Sequence, residues 1–308
     1  MKNLRLVSRT KRLMRMIINT IYMIYCGKQK ALLLNVSMEQ IGNGVVHHNI
    51  GDDINYYLMK ELSGKKIFNY VDVLNIFGLK NYMCIGSIID WMTRADSCIW
   101  GSGVRDDSGK LRVQPHKVYA VRGPLTRQYL LDNGVDCPAI YGDPALLLPL
   151  ISPPPYVICK SYKIGVILHK NDIGNIIMQK FINTYKGVVW IDIMHYKDWR
   201  NVVSSIQKCE MIISSSLHGL IISDAYSIPN IWVKFSDETF DKSFKYLDYM
   251  KSVGRKEEAP LEINEEITFE EIYKLKESYI PIKFDIIPLL SVCPFFNNNK
   301  IGKIQNGK

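Results

Sequence analysis

Short apolar runs alternate with helix-patterned stretches twice along this chain, and that repeated alternation restricts the fold more than any other feature. In the first half the strand candidates are ALLLNV (31–36), KIFNYV (66–71), YMCIGS (82–87), SCIWGSG (97–103) and KVYAVRG (117–123). DDINYYLMKEL (52–62) and PLTRQYLLDNG (124–134) read as helices between them. Pro124 suits a first helical turn and Gly134 the position just past the end. The second half offers KIGVILH (163–169), VVWIDI (188–193), EMIISSS (210–216) and NIWVKF (230–235) as strands. DIGNIIMQKFINTY, KDWRNVVSSIQKC and HGLIISDAYS are the helical stretches between those. Near-continuous apolar strands parted by helices imply parallel sheets covered on both faces.

ISPPPY (151–156) is the densest breaker cluster and predicts a linker. The expected architecture is α/β, with two Rossmann-like domains, 31–150 and 156–285, facing a central cleft. A basic amphipathic segment (1–30) precedes them, and a tail (286–308), disordered at its end, follows. Ligands of such sheets bind beyond the carboxyl ends of the strands.

Charge is concentrated at the ends. Of the 308 residues 47% are hydrophobic and 22% charged, which excludes a disulfide-stapled mini-protein, a disordered chain and a multi-span membrane protein. The net charge is +9. Lys2, Arg5, Arg9, Lys11, Arg12, Arg15, Lys28 and Lys30 fall within residues 1–30, where there is no acid. Lys300, Lys303 and Lys308 sit in the tail, so the body between is nearly neutral and no nucleic-acid groove is indicated. The apolar run after Arg12 is interrupted by Arg15 and is too short to cross a bilayer of about 30 Å. No small-residue cleavage site follows it, so a secretory signal is not expected. Two readings stand: a helix on an anionic inner leaflet through residues 1–28, or a leader or helix packed on the body. Seven scattered cysteines without metal spacing fit reduced thiols in a cytoplasmic protein.

Three strand-to-helix turns carry chemistry. In SSSLHG (214–219) the hydroxyls of Ser214, Ser215 and Ser216 and the His218 imidazole stand where a helix opens, a ready anion site. The plainer reading makes the serines caps and His218 a satisfied core residue. In VRGPLT (121–126) Arg122 ends a strand, offering a planar fork to a carboxylate or phosphate or pairing with a nearby acid. In HHNIGDDINYY (47–57) Asn49 and Asp52 suit sugar hydroxyls or a general base, or merely cap the helix with Asp53. Gly101, Ser102 and Gly103 allow close backbone approach to an acceptor, and His169 ends a strand. His47, His48, His116 and His195 form no ligand pattern, so neither a metal nor a cofactor is expected.

Taken in order, NIGDDINYYLMKEL, CIGSIIDWMTRADSCIWGSGV, AVRGPLTRQYLLDNGVDCPAIYGDPALLLP, KIGVILHKND, SSSLHGLIISDAYSIPNIWVKFSD and FKYLDYMKSVGR resemble the polysaccharide pyruvyl transferase family over about residues 40–255. The resemblance implies a fold similar to the two-domain GT-B glycosyltransferase arrangement. It implies transfer of the pyruvyl unit of phosphoenolpyruvate onto two hydroxyls of one sugar, forming a cyclic ketal and releasing phosphate. It also implies that Arg122, Leu217 and His218 hold the donor. Many relatives carry Arg where this chain has Ser216, so Arg122, the helix-start N–H groups of Ser214–Gly219, His169 or Lys234 would compensate. His218 is the expected general acid, at the usual histidine pKa of about 6.5, with Asp52 as base. The expected partners are phosphoenolpyruvate and a glycan acceptor, free or lipid-linked. The expected place is the cytoplasm or the inner face of its membrane. The rivals are a nucleotide-sugar glycosyltransferase on the same fold and a non-catalytic glycan- or anion-binding relative.

Overall fold

The structure is a computed structural model that describes residues 2–47, 49–234, 243–256 and 259–296, with side chains from Thr10 onward except Ile41. His48 and the tail end from Asn297, on which two of the expectations fall, lie outside the described residues.

In chain order the strands are β1 (Ala31–Leu34), β2 (Glu39–Ile41), β3 (Gly44–Val46), β4 (Lys66–Asn69), β5 (Asn81–Met83) and β6 (Ser97–Trp100). They continue with β7 (Lys117–Ala120), β8 (Tyr162–Ile167), β9 (Val188–Trp190), β10 (Cys209–Ser214), β11 (Asn230–Lys234) and β12 (Leu261–Glu262). The helices are α1 (Lys2–Cys26), α2 (Ile50–Ser63), α3 (Ile89–Met92), α4 (Pro124–Asp132) and α5 (Ile176–Thr184). Then come α6 (Trp199–Gln207), α7 (Leu217–Ala225), α8 (Phe244–Ser252), α9 (Phe269–Lys274) and α10 (Ile287–Ser291).

Two five-stranded sheets result, ordered β4-β1-β5-β6-β7 and β12-β11-β10-β8-β9. Every pairing within them is parallel. Renumbered within each half, both orders are the same: the second strand lies outside the first, and the third, fourth and fifth follow on the other side. The order reverses between β1 and β5 in one sheet and between β8 and β10 in the other. Doubly wound sheets bind ligands at that reversal, beyond the carboxyl ends of the strands, because neighbouring connections leave on opposite faces and open a crevice.

Sequence explains the elements. β1 and β6 are buried along their whole length, as ALLL and SCIW require. α2 starts at Asn49, whose side chain accepts from the Gly51 N–H, and stops at Gly64, whose φ of 66° needs no Cβ. The 310 segment Pro144–Leu150 buries Leu146, Leu147 and Leu148 between α2 and α7. One apolar core thus runs from the first sheet through α2 and this segment into the second.

Several strands are shorter than their apolar runs, since β4 ends at Asn69 and β5 at Met83 before the chain turns into loops. The antiparallel hairpin β2–β3 was not legible, because its strands hold three residues each and the first opens on the polar pair Glu39 and Gln40. Residues 286–296 are not a tail. Leu289, Leu290, Phe295 and Phe296 are buried, Trp100 donates its indole N–H to the Leu289 carbonyl at 2.9 Å, and Phe295 meets the edges of Tyr82 and Trp100. The chain therefore ends its described part on the first sheet.

Candidate functional site

The two order reversals hold most of the residues singled out in the sequence. At the first, α2 begins beside the loop after β5. Asn55 clamps that loop by donating to the Ile85 carbonyl at 3.0 Å and accepting from the Ile85 N–H at 2.9 Å. This sets Asp52, in the first turn of α2, beside Gly86. Asn49 donates to Asp52 at 3.1 Å. Close packing, with the Asp53 carboxylate next to it, pushes the Asp52 pKa up to about 7, although the Asn49 hydrogen bond and Lys170 and Lys245 pull the other way. Asp53 itself is buried and bonded by the Tyr196 hydroxyl from the second half.

At the second reversal the SSSLHG turn is braced from within. Ser214 accepts from the Ser216 N–H at 3.0 Å and donates to the Ser216 carbonyl at 2.8 Å. Ser215 donates to Asp172 at 2.6 Å and accepts from the His169 N–H at 2.9 Å, tying the end of β10 to the end of β8. Ser216 occupies the N-cap position of α7 but supplies no side-chain cap. Leu217 is core, and a Cβ on Gly219 would overlap the Ser214 side chain. The capping reading thus holds for the position of Ser216 and fails for its hydroxyl.

His218 joins the two reversals. Its ring covers Gly51, where a Cβ would overlap the imidazole, and its Nε2 stands 3.9 Å from Asp143. That Nε2 is buried without a hydrogen-bond partner. Burial, helped by Arg122 and Lys245, lowers the His218 pKa to about 3, so at neutral pH the ring is uncharged. The expectation of an ordinary histidine pKa is corrected accordingly. Asp143, 1% exposed, is pushed up to about 7 by burial while its carboxylate accepts from the Ala145 N–H at 2.9 Å.

His169 and Lys234 fall together beside the turn. With Asp172, Ser215, Lys245 and Tyr246 they line a small recess of about 30 Å³. Tyr246 donates to the Ser215 carbonyl at 2.6 Å, and Lys234 lies 3.4 Å from Glu262. Burial and the nearby Lys245 lower His169 to about 4.

Arg122 is where the structure departs furthest from the expected site. Its side chain is fully buried rather than open to a cleft, and donates to Asp248 at 2.9 Å, to the Val104 carbonyl at 2.8 Å and to the Ser87 hydroxyl. Asp248 also accepts from the Thr126 N–H at 2.8 Å and its hydroxyl at 2.7 Å. The start of α4 therefore holds an anion, but the anion is the protein's own carboxylate from α8.

The glycine loop is corrected on the same ground. A Cβ on Gly101 would meet Pro144, one on Gly103 would meet the Arg122 guanidinium, and Ser102 donates to the Cys84 carbonyl at 3.1 Å. All three are buried, and protein atoms lie against the two glycines.

Asp143, Asp172, Lys170 and Lys245 were missed. Asp143 had a signal, an Asp-Pro pair opening a leucine-rich helical run. The other three become visible only when β8, β10 and α8 meet.

The family model for polysaccharide pyruvyl transferase matches residues 49–237, which include both reversals. An uncharacterised protein of Acanthamoeba polyphaga mimivirus is 27% identical over 213 residues, 67% of this chain and 71% of that one. A functionally uncharacterised protein of Klebsiella pneumoniae has a similar solved structure, with TM-score 0.41 and 12% identity over 77% of this chain and 94% of its own. The chain belongs to the polysaccharide pyruvyl transferase family.

Proposed function

We propose that this protein moves the pyruvyl unit of phosphoenolpyruvate onto two hydroxyls of one sugar in a polysaccharide or its lipid-linked precursor, on the cytoplasmic side. The observation that carries the reading is the His218 ring lying over Gly51 at the start of α2, next to Asp52, where burial raises the Asp52 pKa to about 7 and keeps His218 uncharged. One sugar hydroxyl attacks the carbon bearing the phosphate while the methylene carbon gains a proton and becomes methyl. The C–O bond to phosphate then breaks, and the second hydroxyl closes the ketal. Of the two hydroxyl protons, one ends on the methyl group and one on the departing phosphate. A carboxyl with a pKa near neutrality both gives and takes protons at working pH, so Asp52 serves as the acid and base. His218 acts as a neutral hydrogen-bond donor toward the donor's oxygens, a role that uncharged imidazole fills at helix starts.

Lys245 and Lys234 supply the cationic side that a carboxylate and a phosphate need, and the α7 turn and the uncharged His169 add hydrogen-bond donors. Asn49 holds Asp52 and takes the acceptor with it. Arg122 works from behind, fixing α4 against α8 without touching substrate. A two-domain arrangement with facing carboxyl ends is part of the proposal. The contacts between Ile50 and Ile193, between Tyr196 and Asp53, and between His218 and Gly51 support it.

Calorimetric titration with phosphoenolpyruvate, beside a panel of nucleotide sugars, tests the reading. Saturable phosphoenolpyruvate binding, weakened at least tenfold in Lys245→Ala, is expected. Binding of a nucleotide sugar instead would assign the site to sugar transfer.

A further inference from the structure

α1 is held on the body by one face only. Asn19 donates to the Gln40 and Asp72 carbonyls at 3.2 and 3.1 Å, Thr20 accepts from the Leu74 N–H at 2.9 Å, and Met23 is core. Arg15 adds ion pairs to Glu39 and Asp72. These contacts fix the rotation of the helix about its axis. They leave Leu13, Met14, Ile17, Ile18, Ile21 and Ile24 pointing outward, each at least 45% exposed, with Tyr25 at 87%. At 100° per residue those positions fill one continuous arc of about 140°.

We propose that this face lies in the interface of an anionic membrane, with the helix parallel to its plane. Charge selects the occupant. Lys2, Arg5, Arg9, Lys11 and Arg12 lie on this one helix, which has no acid, and Lys28 and Lys30 follow it. A second copy laid on the same arc would bring two such cationic helices together. An anionic lipid surface complements both the arc and the charge. Length selects the orientation. After Arg15 the helix runs only from Met16 to Cys26, about 16 Å against a hydrocarbon core of about 30 Å. No helix among the described residues is long and apolar enough to cross a membrane. The proposal stands independently of the chemistry at α2 and α7.

Vesicle flotation with the full chain is the test, comparing phosphatidylcholine alone with phosphatidylcholine containing phosphatidylglycerol. Binding to the anionic vesicles only, falling as salt is raised, is expected. Replacing Lys11 and Arg12 together by Gln weakens it by about 30-fold, since each cation near such a surface contributes about a factor of five. Met14→Asp with Ile21→Asp abolishes it. These two side chains are exposed, so an unchanged thermal midpoint keeps the result interpretable. Absence of binding, or equal binding to both vesicle types, overturns the proposal. So does a concentration-dependent dimer that the two aspartates dissolve without any effect on vesicles, which would give the arc to a second copy.

Discussion

The starts of α4 and α7 look alike in sequence: each follows a parallel strand, each bears polar groups at the turn, and each presents the unpaired N–H groups that attract anions. The fold uses them differently. At α4 the anion is Asp248, and Arg122, Thr126 and Gly123 are shaped around it. A Cβ on Gly123 would strike the backbone of Asp248. At α7 the N-cap Ser216 makes no side-chain cap, and His218 of the first turn reaches across to α2 and Asp143. The local pattern therefore marks an anion-binding helix start without saying whose anion it is. The element packed opposite decides.

The largest effect that could break this comparison is on stability. Arg122→Met leaves Asp248 as an uncompensated buried carboxylate, and losing one partner of a buried pair costs about 3–5 kcal/mol. Urea unfolding reads it directly. Unchanged stability with lost donor binding would mean that Arg122 is a substrate ligand and that the two starts are alike after all.

Next comes Asp52→Asn, expected to lower turnover by about 10². In the wild-type protein kcat/KM falls as pH rises through about 7, because proton delivery to the methylene carbon needs the protonated carboxyl, and the variant loses that limb. Stability follows the same group. A carboxyl whose pKa is raised on folding favours the fold fully below its unfolded value near 4, and that contribution is lost as pH rises through 7. Asp52→Asn is therefore more stable than wild type above pH 7, and the difference closes toward pH 4. Gly51→Ala comes third, since its methyl must displace a buried imidazole. Overpacking of this kind costs about 1–3 kcal/mol, and turnover falls with it through His218 alone.

These effects also mark how far the sequence could be read. Most strands of the two parallel sheets and the helices between them were legible because near-continuous apolar runs such as ALLL and CEMIIS leave little choice but buried parallel strands. The three turns were legible for the same reason, as interruptions between such runs. What no local pattern carries is what each turn faces. Nothing near VRGP announces Asp248, 126 residues away. Histidine in SSSLHG reads as titratable until burial over Gly51, helped by the charge of Arg122, removes its own. Conversely Asp52, which reads as a plain helix cap, gains its chemistry from the packing around it and then from Asp53. α1 packs on the body, as one of its two readings has it, and shows an apolar face outward.

The smallest effect sharpens the comparison most. An N-cap Ser, Thr or Asn normally contributes about 1 kcal/mol, because its side-chain oxygen satisfies an N–H of the first turn. Asn49 does this at α2, accepting from Gly51 at 3.2 Å, so Asn49→Ala should cost about that much. Ser216 holds the same position at α7 without making the bond, so Ser216→Ala should cost a few tenths at most. Thermal unfolding of the two variants side by side separates them. If Ser216→Ala costs as much as Asn49→Ala, the serine caps α7 itself and that start is closed like α4's. If it costs almost nothing while weakening phosphoenolpyruvate binding, the N–H groups of α7 are kept for the donor, and the difference between the two starts is functional.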